Sequence, residues 1–291
     1  MNYVSIDFPT MLSRRCHNSH HPLHIAYYFA QEHDDYYGEL GLQRGPMAYL
    51  AGRAAPLGVV SPGTVVATFY NFNPELVDVH LPRIWAVASP SMLLRTRFRI
   101  VDAYLKRLLG PEIIESPMMA EAAKLATAAC EGCSTPGRAL YAANADLTPP
   151  DAPHLAYWHA ITQLREHRGD GHLMALAGAG LDGLEALVTH SATGTGFTPS
   201  YLQAARGWSA RQWASAQERL RERGLMDGVG ELTERGMQMR RDIEAETDRL
   251  DVAPYAHLGT EGTKRLSELA AGFTKTIVRQ DGLPLKLMGK R

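Results

Sequence analysis

Two short segments of the chain, HIAYYFA at 24–30 and HLAYWHA at 154–160, are so alike that they constrain the fold more than any other feature of the sequence. Two further pairs of similar segments follow in the same order: PMAYLAGRAAPLG (46–58) with HLMALAGAGLDGLE (172–185), and Pro74…Trp85…LKRLLG with Pro199…Trp208…LRERGL. Matching anchors in matching order indicate an ancient duplication. We therefore predict two related halves, at 1–150 and 151–291.

Prolines and glycines divide the chain into segments of helical length. Ser61-Pro62 and Ser89-Pro90 each have the pattern of an N-cap serine followed by proline at the first helical position. The alternation of strands and helices that a parallel sheet requires is absent, as are glycine-rich phosphate loops and GxSxG. We predict a mainly α-helical fold, in which residues 1–20 are irregular and a helix covers about 23–32.

The composition is that of an ordinary globular protein without a bias towards nucleic acid or anionic membranes. Hydrophobic residues make up 45% of the 291 residues, charged residues 21%, and the formal net charge is −1. No apolar run reaches the ~18 residues of a membrane span, and no signal-peptide core is seen, so we expect a cytoplasmic protein. Cys130 and Cys133 form a lone CxxC, which we interpret as free surface thiols.

The stretch HLAYWHAITQLREHRGDGH (154–172) concentrates side chains that can carry chemistry. Pro153 precedes it, at the position where helices often begin. Gly169 and Gly171 are predicted to end the helix, which leaves 154–168 as its helical part.

Polar groups on this helix are candidates for catalysis and metal binding. His159 and Glu166 lie seven residues apart, nearly two turns, so they share one face with Cα atoms about 10 Å apart. A purely structural helix would carry apolar groups on the face it buries. We interpret His159, Glu166 and His167 as catalytic candidates, and His24, His159 and His172 as candidate ligands of a transition metal or haem iron.

Three interpretations of this cluster stay open: a metal or haem site, a metal-free acid/base pocket that holds an anionic substrate, and a pocket that only binds. The expected site is a cleft between helices 24–32 and 154–168, with HRGDGH as its floor and GRAAPLG as its gate. Its expected ligand-binding residues are aromatic or cationic: Tyr28, Phe29, Arg53, Trp158 and Arg168.

Residues 207–250 have the pattern of a winged helix. GWS opens the helix ARQWASAQERLRERG, a short acidic turn MDGVGE follows, and LTERG opens a long helix. This order is similar to that of MarR-like regulators. Together with GRAAPLG, TFYNFNP and LREHRGDGH, it resembles an actinobacterial family labelled helix-turn-helix or MarR-like over nearly the whole chain. That label describes a fold and implies no particular activity.

The resemblance implies an arrangement for the two halves. MarR-like proteins are dimers that hold ligands between a dimerisation core and DNA-binding lobes. A duplicated chain can fold as that dimer within one polypeptide. We therefore expect tandem winged-helix-like halves that form an intramolecular pseudo-dimer, present as a monomer or as a homodimer.

The charges of the expected DNA-reading elements are mixed. The helix at 209–223 carries four arginines and Gln212, as phosphate and base contacts require, but also glutamates. The expected wing carries Asp227 and Glu231, and no Lys or Arg occurs in 226–232. We therefore favour a small-molecule-binding protein, and an enzyme or cofactor protein over a regulator. A ligand-responsive regulator that binds DNA is the alternative.

Overall fold

The computed structural model describes residues 8–289, and helices account for nearly all regular structure in this range. In chain order they are α1 Thr10–Ile25, α2 Gln31–Glu39, α3 Pro46–Ala54, α4 Pro62–Phe69, α5 Pro74–Val87, α6 Pro90–Leu109, α7 Pro111–Ile114, α8 Pro117–Cys130, α9 Ala139–Ala145, α10 Pro153–Gly178, α11 Gly183–Ser191, α12 Pro199–Arg206, α13 Ala210–Glu222, α14 Glu234–Leu250 and α15 Val252–Arg279. Short 3-10 helices cover Ala26–Phe29, Ala55–Leu57 and Leu285–Leu287. The prediction of a mainly α-helical fold is confirmed.

Serine caps begin helices where the sequence predicts them. The Ser61 side chain accepts a hydrogen bond from the backbone N–H of Thr64 at the start of α4. The Ser89 side chain does the same for Met92 at the start of α6. In both helices a proline occupies the first turn, where its missing N–H costs nothing.

The first helix was not foreseen. The prediction of an irregular N-terminal stretch is wrong over residues 10–20, which belong to α1, whereas residues 1–7 lie outside the described range. The predicted single helix over 23–32 is also wrong, since α1 ends at Ile25 and a 3-10 turn separates it from α2. Three of the seven buried residues of α1 are histidines and only two are aliphatic, so no apolar stripe marks this helix in the sequence.

The helix α10 does not end at Gly169 and Gly171 but continues to Gly178, so the predicted break is wrong. A Cβ atom at Gly171 would lie 2.8 Å from the Arg138 guanidinium. That guanidinium donates to the backbone carbonyls of His167 and Leu250 (2.7 Å to Leu250). Gly171 therefore serves close packing inside a helix rather than termination.

The buried apolar residues form two clusters. The larger cluster combines residues between Cys16 and Ile161 with residues of α15, among them Leu266, Phe273 and Ile277. The smaller cluster lies within 175–243 and contains the apolar side chains of α11 and α13. Because α15 contributes to the larger cluster, the apolar core does not divide at residue 150. The division into halves at that point stays a prediction.

A unit made of the helices α11, α12 and α13 and a short hairpin follows α10. The helices α12 and α13 are joined by a tight turn in which Gly207 adopts φ +75°, a left-handed conformation that favours glycine. After α13, an isolated antiparallel bridge pairs Met226 with Leu232, and Asp227 N–H donates to the carbonyl of Glu231 at 2.9 Å. The predicted order of helix, turn, helix and hairpin is present in this segment.

Candidate functional site

The segment between α4 and α5 docks on the helix-turn-helix unit. Asn73 donates from its backbone N–H to the carbonyl of Arg206 (2.9 Å) and from its side chain to the carbonyl of Gly207 (2.8 Å). The Trp208 indole N–H in turn donates to the carbonyl of Asn71 at 2.9 Å. These contacts tie α12 and its C-terminal Arg206 to the first part of the chain.

A cavity of about 520 Å³ lies beside this junction and is called the central cavity below. Its walls come from α1, the 3-10 turn after it, α2, α3, α10 and α12, so both predicted halves contribute. The walls include five aromatic residues: Tyr28, Phe29, Tyr49, Phe197 and Tyr201. The charged and imidazole side chains in the wall are Arg165, Arg206, His21, His33 and Asp34.

A buried carboxylate, that of Glu166, lies next to Arg165 of the cavity wall. Glu166 is 3% exposed and accepts two hydrogen bonds from Arg53, Nη2–Oε2 at 3.0 Å and Nε–Oε1 at 3.4 Å. Arg165 also donates to Glu166. Burial alone would raise the pKa of Glu166, but Arg165 and Arg53 outweigh it and the net shift is downward. Glu166 is therefore a carboxylate that holds two arginines rather than a proton donor.

Arg206 adds a further positive charge at the same place. Its guanidinium lies 4.3 Å from the ring centre of Phe72 and 5.1 Å from that of Tyr49. Within residues 8–289, no carboxylate forms an ion pair with it. Arg53 and Arg165 thus share the carboxylate of Glu166. Arg206 joins them through Tyr49, whose hydroxyl accepts a hydrogen bond from Arg53 at 3.5 Å. Even with Asp34 in the cavity wall, three arginines outnumber two carboxylates, so the cluster carries an excess of positive charge.

The pKa values of two tyrosines in the cavity wall, Tyr49 and Tyr28, depend on burial and on these arginines. Burial raises the pKa of the Tyr49 phenol, but the nearby Arg53, Arg206 and Arg165 outweigh this effect and leave the pKa below its ordinary value. Tyr28, whose ring centre lies 4.6 Å from that of Tyr49, has its pKa raised because burial dominates there. The side of the cavity at Tyr49 is therefore the one that favours a negative charge.

His21 supplies an imidazole to the same wall. Burial, then Arg165, lowers the pKa of His21 to about 3, so the ring is neutral near pH 7. Its Nδ1 has no hydrogen-bond partner among the described residues. The ring stacks at 5.1 Å on His17, one turn earlier in α1. His21 thus contributes a neutral imidazole to the wall, and its unpaired Nδ1 is buried.

A known protein family matches this helical chain along nearly its whole length. The family model, described as a helix-turn-helix family, covers residues 13–284. This chain belongs to that helix-turn-helix family. No curated protein and no solved structure matches it significantly. Among residues 8–289 no helix is long and apolar enough to cross a membrane.

In this member of the helix-turn-helix family, α13 is the second helix of the motif. Most arginines on α13 and just after it form ion pairs with acidic residues of the same protein. Arg219 donates to Glu185 (2.9 Å) and to Asp182 (2.7 Å). Arg223 donates to the other oxygen of Glu185 at 3.0 Å. Arg221 pairs with a glutamate one turn earlier on α13.

The five residues that were predicted to bind a ligand do not all lie at the central cavity. Tyr28 and Phe29 line the central cavity, and Arg53 lies one layer behind it through Glu166. Trp158 is buried and stacks on His24 at 5.0 Å, outside the cavity wall. Arg168 pairs instead with Asp248 at 2.9 Å and with Asp251 at 3.6 Å.

The predicted catalytic histidines lie apart from the central cavity. His159 is buried beside Phe98, is hydrogen-bonded to Gln163 at 2.9 Å, and has its pKa lowered to about 4 by burial and by Arg97. His167 is buried and is hydrogen-bonded to Asp251 at 2.9 Å. Neither residue lines the cavity.

The predicted metal ligands are not brought together. His24 stacks on Trp158, His159 contacts Phe98, and His172 is hydrogen-bonded to Thr247 at 2.9 Å. Across the described range, no group of three or more His, Cys, Asp or Glu side chains is arranged to hold a metal ion. The geometry gives no support to the predicted transition-metal or haem site.

Sequence reasoning missed His21, Tyr49, Arg165 and Arg206 as site residues. Arg165 adjoins a residue that was singled out, and His21 belongs to HNSHHPLH, whose histidines recur at helical spacing (17, 20, 21 and 24). That spacing was a usable signal. Arg206 had none, because only the docking of Asn73 on the helix-turn-helix unit brings it to the cavity.

Proposed function

We propose that this protein binds a small anionic molecule with an aromatic body in the central cavity, at the interface of its two halves. The observation that carries the proposal is the pairing of Arg53 and Arg165 with one buried carboxylate, Glu166, beside a third arginine, Arg206, on the ring of Tyr49. An arginine fork is the group best suited to a carboxylate or phosphate. A ligand anion near Arg165 and Arg206 would balance the excess charge.

The walls support an aromatic body for this ligand. Phe29, Phe197 and Tyr201 contact one another, with ring-centre distances of 4.9 to 6.3 Å, and the ring of Tyr28 lies 4.6 Å from that of Tyr49 in a tilted arrangement. Aromatic rings that line a cleft of this volume are typical of small-molecule sites.

Binding of DNA, the alternative, has less support from the geometry. The N-terminal end of the second helix of such a motif normally enters the major groove. Here the turn before α13 is covered by Asn71 and Asn73, and the arginines of α13 pair with acidic residues of the same chain. The hairpin after α13 carries Asp227 and Glu231, which would face phosphate.

We also propose that the halves are related as tandem MarR-like units. The order α4, turn, α5 and α6 parallels the order α12, turn, α13 and α14. A proline begins α4 and α12 alike, and a side-chain cap begins α5 and α13 (Asn73 and Ser209). This alignment pairs Pro199 with Pro62 rather than with Pro74. In the first half only two residues separate α5 from α6, so that half lacks a wing.

Calorimetric titration with phenyl phosphate and with benzoate tests the ligand proposal. We expect binding to the native protein, at least tenfold weaker binding to R206Q, and no binding of the uncharged benzyl alcohol. R211Q is the matched control, because Arg211 is an exposed arginine of α13 outside the central cavity. Equal affinities of R206Q and the native protein would refute the proposal. Retention on duplex DNA that R211Q weakens and R206Q does not would favour the regulator.

A further inference from the structure

A second cavity, of about 740 Å³, lies at the other end of α1 and is called the α1–α14 cavity below. Its walls come from the first turns of α1, the loop after α11, the end of the hairpin after α13, and one face of α14. None of its lining residues lines the central cavity. Its volume is within the usual range of small-molecule sites.

Arg240 of α14 is the unusual residue in this wall. Its side chain is 6% exposed, and only Nη2 has a partner, an oxygen of Glu244 at 3.1 Å. The Nε and Nη1 atoms have no hydrogen-bond partner among residues 8–289. A buried guanidinium with free N–H groups is costly unless another acceptor completes it. An acceptor carried by a bound molecule would satisfy it.

The charges around Arg240 limit what that acceptor can be. Three carboxylates line the same cavity, Glu231, Glu244 and Asp248, and so do the arginines Arg14 and Arg241. Arg241 is paired with Glu234, outside the cavity, at 2.6 Å. Asp248 forms ion pairs with Arg14 at 2.6 Å and with Arg168 at 2.9 Å. The side chain of Glu244 is 38% exposed and lies beside Arg240. Because Arg14 and Arg241 are already paired, Arg240 faces Glu231 and Glu244 alone. These two carboxylates would repel a dianion such as a phosphate monoester, but a single negative charge can be accommodated at Arg240. A monoanion is therefore favoured.

The apolar part of the wall is aliphatic rather than aromatic. Met11 and Met237 line the cavity and are 60% and 40% exposed, so both offer apolar surface to a bound molecule. Leu232, Ala192 and Ala245 extend this apolar surface, and the other uncharged lining residues are polar: Thr10, Thr193, Thr195 and His190. Methionine side chains adapt their shape to flexible apolar molecules. This wall therefore fits an alkyl chain, in contrast to the aromatic wall of the central cavity.

We propose that the α1–α14 cavity is a second binding site, which takes a monocarboxylate with an aliphatic chain. The carboxylate accepts hydrogen bonds from Arg240, and the chain lies against Met11, Leu232 and Met237. The site is independent of the central cavity and of the ligand proposed there.

Titration with octanoate, followed by calorimetry, tests this second site. We expect R240Q to weaken octanoate binding at least tenfold. A245F fills the cavity from an exposed position on α14, leaves Arg240 in place, and is expected to weaken binding as strongly. Octyl phosphate and octanol are expected to bind more weakly than octanoate. R235Q is the control, since Arg235 is an exposed arginine of α14 outside this cavity.

The outcomes separate this site from the central cavity. R206Q is expected to leave octanoate affinity within twofold of that of the native protein, while it weakens phenyl phosphate. Octanoate binding that is unchanged in A245F would overturn the proposal, even if R240Q fails to fold. Octanoate binding that is lost in R206Q and kept in A245F would also overturn it, because the molecule would then occupy the central cavity. Absence of octanoate binding to the native protein is equally decisive against it.

Discussion

The carbonyl oxygen of Tyr70 lies so close to Gly183 that a Cβ atom on residue 183 would be 1.9 Å from it. Tyr70 itself has φ +64°, which is uncommon for a residue with a side chain, and its hydroxyl donates to the carbonyl of Leu181 at 2.5 Å. This backbone contact joins the end of α4 to the start of α11. It makes Gly183 a position where no other residue fits without movement of the chain.

We predict that Gly183→Ala lowers the free energy of unfolding by about 2–3 kcal/mol, because the added methyl group must push the two segments apart. Urea unfolding followed by circular dichroism measures the change. Gly38→Ala is the control, since a Cβ atom there meets nothing within 4 Å and alanine favours the helix α2. If both variants are as stable as the native protein, the contact between Tyr70 and Gly183 is not tight in solution.

Replacing Glu166 by glutamine should have opposite effects on stability and on ligand affinity. The substitution leaves Arg53 and Arg165 without their carboxylate, so we expect a loss of about 2–4 kcal/mol in the free energy of unfolding. The cavity becomes more positive, so phenyl phosphate should bind about tenfold more tightly. The same titrations on E222Q, which changes an exposed glutamate of α13, give the baseline. Weaker phenyl phosphate binding to E166Q would argue against the charge mechanism.

Buried neutral histidines make stability depend on pH. Burial lowers the pKa of His20 and of His21 to about 3. Below pH 6.5 the unfolded chain takes up protons that the folded chain does not, so their contribution is complete above that pH and is lost as pH falls towards 3. His20→Gln keeps an N–H for the Tyr255 hydroxyl, which His20 Nε2 contacts at 3.2 Å, and removes one such titration.

The native protein should therefore lose about 2 kcal/mol more stability than H20Q between pH 7 and pH 5. Urea unfolding at the two pH values measures this difference. His257→Gln is the matched control, because His257 is 47% exposed. An equal loss in the native protein and in H20Q would mean that His20 is already protonated in the folded state at pH 5.

The two predicted halves should not fold separately. The residues of α15 that pack into the larger apolar cluster, such as Leu266, Phe273 and Ile277, would be exposed in a fragment of residues 151–291. We expect that fragment alone to bind a hydrophobic dye and to unfold without a cooperative transition. Coexpression with residues 1–150 should give a complex that purifies as one species. Cooperative unfolding of the isolated fragment would instead support two autonomous domains.

Local signals in the sequence predicted local structure well. The caps at Ser61 and Ser89 and the order of helix, acidic turn and long helix over α13 and α14 all depend on neighbours within a few residues. The helix α1 was missed because its inward face carries His17, His20 and His24, which a hydrophobic pattern does not count.

The candidate site was predicted only in part because it depends on distant contacts. Tyr28 and Phe29 were expected at a pocket and line the central cavity, and Glu166 was expected to be catalytic and lies buried behind that cavity. Its role differs, since the ion pair with Arg53 spans 113 positions of the chain. No spacing rule relates residues so far apart, and the same holds for Arg206.

The pairing of α1 with α15 has a consequence for synthesis on the ribosome. His20 contacts Tyr255, and the Ser19 carbonyl accepts a hydrogen bond from Thr274 at 2.7 Å, so the partner of α1 is translated roughly 230 residues after it. At typical elongation rates, this delay is on the order of 10–45 s. During that interval the nascent chain exposes the apolar and imidazole face of α1, which makes it a natural client for chaperones that hold unfinished chains.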